Sequence, residues 1–217
     1  MIGHNHLGKN GRFGNQMFQY AATRGLAAKH KYDWCIPDGP RTDEEFVDEE
    51  NQHKLFMAFK MEGAKVVKDH PAPYEKEGSF TFDHRLFLYC PDNVNLFGYF
   101  QCEKYFKDIE KEIRQDFTWR DDVRSLCQDM FDSIGGKAIS LHIRRTDHLV
   151  KPTYHPVLPL SYYEKALEII DTLSLDRQKN LPVLVFSDDP EWCHKQEFFS
   201  DDRFMISDSG DNITDMC

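Results

Sequence analysis

The chain has 217 residues, of which 40% are hydrophobic, and carries 37 acidic against 27 basic side chains for a formal net charge of −10. That apolar content suffices for a packed core and excludes wholesale disorder. The acidic balance argues against duplex nucleic acid, whose phosphates need a basic footprint, but leaves room for a small anion in a local basic pocket.

The N-terminal "MIGHNHLGKNGR" has no apolar core of secretory length, and no run is long enough to span a bilayer. A soluble, cytoplasmic protein is expected. The six cysteines are widely spaced, with no C-x-x-C pair. They read as free thiols rather than a disulfide framework or zinc site.

The first strong helix is Gln16 to His30, "QMFQYAATRGLAAKH". Gly14 breaks the chain before it, and Asn15 is placed to cap its first turn. Ala21, Ala22, Gly25 and Ala28 form a small-residue stripe suited to close packing against a sheet. The preceding "GRFGNQ" is neither G-x-G-x-x-G nor a P-loop, so a tight turn and a phosphate loop are both open. His4 and His6 read as a polar strand face. Residues 38–54, "DGPRTDEEFVDEENQHK", read as an acidic surface loop, and "HPAPYEKEG" (70–78) as a second loop. "VNLFGYF" (94–100) predicts a strand and "CEKYFKDIEKEIRQDF" (102–117) an amphipathic helix.

Beyond Gly135-Gly136 the pattern changes. "AISLHI" (138–143), "PVLVFS" (182–187) and "RFMIS" (203–207) predict three buried strands. Between them lie "SYYEKALEIIDTL" (161–173), with Ser161 and Glu164 spaced as a capping box, and "PEWCHKQEFF" (190–199), a short helix with proline at its start. This β-α-β-α-β order predicts a parallel sheet with crossover helices. Ligands of such sheets bind beyond the carboxyl ends of the strands. Here those ends carry His142-Ile143-Arg144-Arg145, Ser187-Asp188-Asp189 and Ser207-Asp208.

Alternation along the first of these strands gives His142 and Arg144 one direction and Ile143 and Arg145 the other. One arginine can then meet a ligand while the other ties structure together, with Asp147 as its expected partner. A guanidinium fork matches a pair of phosphate oxygens. The plain alternative is two surface arginines in ion pairs that contribute little.

"HIRRTD" (142–147) resembles the H-x-R-R-x-D motif of fucosyltransferases that use GDP-fucose, and "GRFGNQMFQYAATRGLA" (11–27) resembles the N-terminal signature of the α-1,2-fucosyltransferases, glycosyltransferase family 11. "GYFQCEKYF" (98–106), "LPLSYYEKAL" (158–167) and "VFSDDPEWC" (185–193) follow in the family's order. The resemblance implies an α/β protein of GT-B type, with two Rossmann-like domains facing a cleft. Residues 1–134 would form the acceptor-side domain and residues 135–217 the GDP-sugar-binding domain. Family members continue past the position of Cys217 into a serine- and tryptophan-rich segment, so the second domain is expected to be incomplete.

By the same resemblance the reaction is inverting transfer of L-fucose from GDP-fucose to a galactoside hydroxyl of a glycan acceptor, in α-1,2 linkage. Arg144 and Asn15 would be catalytic. His142, Arg144, Arg145, Asp147, Ser187 and Asp188 would surround the donor, joined from the first domain by Gly14, Asn15 and Gln16. Fixed guanidinium donors can stabilise the charge growing on the leaving diphosphate as a metal would. No cofactor beyond the donor substrate is expected, and no metal. Asp147 and His148 are the candidates for a proton acceptor. Two other readings stay open: a non-catalytic GDP-sugar or glycan-binding module, and a transferase of the same architecture moving another sugar.

Overall fold

The computed structural model describes residues 1–46, 52–150, 152–153, 155–173 and 181–217, with Met130 described in its backbone only. Residues 47–51 of the acidic stretch lie outside this set. The chain divides into two compact units, Met1–Val123 and Arg124–Cys217. The division falls inside a helix, Asp121–Ser133, ahead of the Gly135-Gly136 pair.

The first unit is built on four strands, β1 (Ile2–Gly3), β2 (Trp34–Cys35), β3 (Tyr74–Lys76) and β4 (Val94–Phe97), in the order β2-β1-β4-β3 and all parallel. β3 falls in the stretch expected to be a loop. Its two prolines, Pro71 and Pro73, oppose helix but not an edge strand, and β3 is the sheet's edge. Asn95, buried on β4, draws this segment in by donating to the carbonyls of His70 (2.6 Å) and Ala72 (3.1 Å).

Helix α1 runs from Phe13 to His30. It begins earlier than expected, and Asn15 is not its cap: Arg12 is, with no side-chain bond. Tyr20, Ala22, Leu26 and Ala27 are buried on this helix. Gly25, one member of the small-residue stripe, meets a neighbour other than the expected sheet. A Cβ on Gly25 would lie 2.2 Å from the carbonyl oxygen of Tyr105, so the glycine admits the backbone of residues 105–106 rather than a strand. Short helices α2 (Leu55–Ala58) and α3 (His84–Tyr89) follow. The expected single helix over 102–117 is broken into two 3-10 turns, Glu103–Tyr105 and Lys107–Ile109, and helix α4 (Glu110–Asp116). Asp116 ties α4 back to α1: it forms an ion pair with Arg24 and accepts from the Tyr20 hydroxyl at 2.6 Å.

The second unit takes in α5 (Asp121–Ser133) from Arg124 onward, then β5 (Ile139–Ile143), α6 (Thr146–Val150), α7 (Leu160–Leu173), β6 (Val183–Ser187), α8 (Pro190–His194), β7 (Phe204–Ile206) and α9 (Asn212–Met216). Its strands are parallel in the order β5-β6-β7, as the apolar runs predict. Leu141, Ile143, Val183 and Val185 pack against Tyr163 and Leu167 of α7, Cys193 of α8, and Phe199. On β5 the alternate residues Ser140 and His142 are exposed. The expected capping box is not formed, because α7 starts at Leu160 and the Pro159 carbonyl takes the Tyr162 amide at 3.0 Å.

Candidate functional site

The parallel register sets Ile143 beside Ser187. Arg144 and Asp188 are the next residues on their strands, so they emerge together at the carboxyl edge. Arg144 grips Asp147 in a two-pronged ion pair, Nε to Oδ1 and Nη2 to Oδ2, each 2.8 Å, and its Nε lies 3.2 Å from Asp188 Oδ2. Arg145 turns the other way. Its Nε donates to Asp189 at 3.1 Å, and its guanidinium lies 3.8 Å from the centre of the Trp192 ring.

The expected pairing of Arg145 with Asp147 is therefore wrong. Asp147 sits in the first turn of α6, three residues from Arg144, and reaches back to that arginine. Strand alternation sends Arg145 towards α8, whose Trp192 packs on the same core as Ile143. His142 projects from the exposed face of β5.

Asp188 organises the edge. It accepts from the Arg145 backbone N–H at 2.8 Å and from the Thr146 hydroxyl at 2.6 Å. Burial alone would raise its pKa, but these two bonds and the Arg144 charge outweigh it and hold the carboxyl below the usual range. Ser187 donates to the Ile143 carbonyl (2.9 Å) and accepts from the Asp189 N–H (3.0 Å), fastening β6 to β5. Asp189 also caps α8 through the Trp192 amide. At the end of β7, Asp208 pairs with His194 at 2.9 Å and Ser207 donates to Asp215 at 2.6 Å. The structure thus brings Arg144, Arg145, Asp147, Ser187 and Asp188 together and adds Thr146, Asp189 and Trp192. Asp189 belongs to the strand-end cluster that the sequence pattern already placed at this edge. Trp192 carried no signal separating it from core.

In the first unit, Gly14 lies in the first turn of α1 with open space at its Cβ position. Asn15 Oδ1 accepts from Gln101 Nε2 at 2.5 Å at the surface. Gln16 instead points inward: it is buried and accepts from the Lys54 amide at 2.9 Å. The polar strand face expected of His4 and His6 does not form, since β1 ends at Gly3. His4 is wholly buried, its Nδ1 3.3 Å from the Thr23 hydroxyl, and burial with the neighbouring His6 lowers its pKa to about 3. Glu77 went unnoticed in the sequence. It accepts from the amides of Tyr99 (3.0 Å) and Phe100 (2.8 Å) and from the Tyr105 hydroxyl (3.1 Å). Burial raises its pKa against the pull of those bonds. Among the described residues, no three His, Cys, Asp or Glu side chains converge as a metal-ligand set. Nor is any described helix long and apolar enough to cross a membrane.

Two all-parallel α/β units of this kind place the protein in a recognisable class. Its fold is similar to that of a NodZ α-1,6-fucosyltransferase crystallised with GDP, at a TM-score of 0.61 and 13% identity over 99% of this chain and 83% of that one. A second structure, fucosyltransferase NodZ from Bradyrhizobium, matches at a TM-score of 0.55 and 13% identity over 94% of this chain and 78% of that one. The chain itself belongs to glycosyl transferase family 11, which matches residues 1–216. Relatives from Escherichia coli include the O-antigen biosynthesis glycosyltransferase WbnK, 26% identical over 92% of this chain and 78% of its own length. An alpha-1,2-colitosyltransferase is 25% identical over 88% of this chain and 71% of its own length.

Proposed function

We propose that this family 11 glycosyltransferase transfers L-fucose from GDP-fucose to a galactoside hydroxyl, with inversion to an α-1,2 linkage. The observation that carries the reading is the arginine pair at the carboxyl end of β5, with Ser187 and Asp188 alongside. NodZ structures obtained with GDP and by soaking with GDP-fucose support a nucleotide-sugar donor here.

In this reading the second unit holds the donor and the first presents the acceptor. The bond between the fucose C1 and the β-phosphate oxygen breaks, and its electron pair leaves with GDP. The acceptor oxygen bonds to C1 from the opposite side and releases its proton. Arg144 meets the charge growing on the diphosphate, the task a fixed guanidinium performs best. Asp188 and Ser187 set the backbone from which Arg144 projects. His142 adjoins the nucleotide, and Asn15 orients the reacting sugar.

The test is turnover with lactose as acceptor across GDP-fucose, GDP-colitose, GDP-mannose and UDP-galactose. GDP-fucose should be the preferred donor, and the rate should persist in EDTA. A rate that collapses with chelator and returns with Mn²⁺ would overturn metal independence. Preference for GDP-colitose would favour a second donor reading, which the colitosyltransferase relative supports. GDP binding without turnover of any donor would leave a binding module.

A further inference from the structure

The turn after β3 holds an aromatic ring out into solvent. Phe80 is 79% exposed, yet its turn is tightly made. The Ser79 hydroxyl donates to the Thr81 carbonyl at 3.1 Å and lies 3.0 Å from the Thr81 hydroxyl, closing the chain on either side of Phe80. Asp83 Oδ2 accepts from the Gly78 amide at 2.9 Å, and the Asp83 amide is anchored on the Tyr105 hydroxyl at 2.8 Å. None of these bonds needs a phenyl group at position 80.

Behind Phe80 stands Tyr99, stacked on it with centroids 5.8 Å apart and ring planes 24° apart. Tyr99 is itself held in place. Glu77 takes its amide and that of Phe100, whose backbone is in the left-handed region at φ 53°. The segment is fastened to α1 on both sides of Tyr99. Gln19 Nε2 donates to the Gly98 carbonyl at 3.0 Å, and Gln101 Nε2 donates to Asn15 at 2.5 Å. Gln19 and Asn15 are one helical turn apart, so the residues flanking Tyr99 are held along the first turns of α1.

We propose that the Phe80–Tyr99 stack is a sugar-binding platform that seats a pyranose ring of the acceptor. A pyranose presents an apolar face of C–H groups and a rim of hydroxyls. The negative face of an aromatic ring suits the former, and surface amides such as Gln101 and Asn15 suit the latter. This mixture distinguishes a carbohydrate from an apolar peptide, which has no use for the amides. The inference rests on the transferase reading for the word acceptor, and on the geometry of the first unit for the binding itself.

The experiment is saturation-transfer NMR on the full chain with lactose, methyl β-galactoside and methyl α-mannoside, for wild type, Phe80→Ala, Phe80→Trp and Tyr99→Ala. GDP binding is measured on the same samples by calorimetry. Wild type should saturate the ring protons of at least one galactoside. Phe80→Ala should weaken that sugar about 2- to 10-fold, Phe80→Trp should retain it, and GDP affinity should not change. Phe80 is so exposed that its truncation should leave the fold intact, which the GDP titration also checks. Equal sugar binding by wild type and Phe80→Ala, or no saturation of any sugar, would overturn the platform. So would a Phe80→Ala variant that instead loses self-association in sedimentation, which would make the stack an interface between copies. Sugar binding lost with Phe80 in a chain that binds no GDP would sink the transferase reading and keep the platform.

Discussion

Arg144 is already engaged by a carboxylate. Two charge-assisted bonds of 2.8 Å join it to Asp147, so a diphosphate seeking the same fork must displace a carboxylate. Asp147→Asn removes one competing charge while keeping the side chain's shape, and leaves Asp188 3.2 Å from Arg144 Nε. The pair is open to solvent, with side-chain exposures of 26% for Arg144 and 48% for Asp147. Screening therefore limits its worth to ~0.2–1 kcal/mol, equivalent to GDP affinity rising about 1.4- to 5-fold in the variant. Calorimetric titration of GDP into wild type and Asp147→Asn, at low and at physiological salt, measures it, with the larger gain expected at low salt. Weaker GDP binding by the variant would refute the reasoning, because Asp147 would then be orienting Arg144 for the ligand rather than competing with it.

Arg144→Lys should lower turnover roughly 10²–10³-fold by removing the fork that meets the leaving diphosphate, with little change in urea stability. Arg145→Lys should instead cost about 1 kcal/mol of stability through the lost contact with the Trp192 face; equal GDP affinities in both variants would count against this division of roles. Burial lowers the pKa of His4 to about 3 and of His53 to about 4, while the unfolded chain titrates both near 6.5. The unfolded state thus takes up protons first, so stability is whole above pH ~6.5 and falls with acid by up to ~1.4 kcal/mol per pH unit per histidine. It should level off below the folded values. Urea curves from pH 7 to 4 should show this slope, and His53→Gln should reduce it to the part that His4 contributes. Gly25→Ala should destabilise by about 1–3 kcal/mol despite its better helix propensity, because the new Cβ meets backbone rather than a movable side chain; unchanged urea stability would show that residues 105–106 can yield.

Much of this protein is written locally. The apolar runs 138–143, 182–187 and 203–207 and the helical patterns between them specify a parallel sheet without any long-range knowledge. Period and composition alone distinguish a buried strand from an amphipathic helix. The placement of Arg144 and Asp188 at one edge follows from the same pattern. What sequence could not decide is which side chain meets which. Asp147 is nearer to Arg145 than to Arg144 along the chain, and only the turn into α6 and the position of Trp192 on α8 assign it to Arg144. The same holds in the first unit. Asn15 and Gln16 are adjacent amides, but the course of α1 turns Gln16 into the interior and leaves Asn15 on the surface. The breaks in the expected 102–117 helix and the strand made from 74–76 arise where tertiary packing overrides local propensity. A backbone packed against Gly25, and a strand edge completed through the Asn95 amide, each offset a modest conformational preference with contacts between residues distant in the chain.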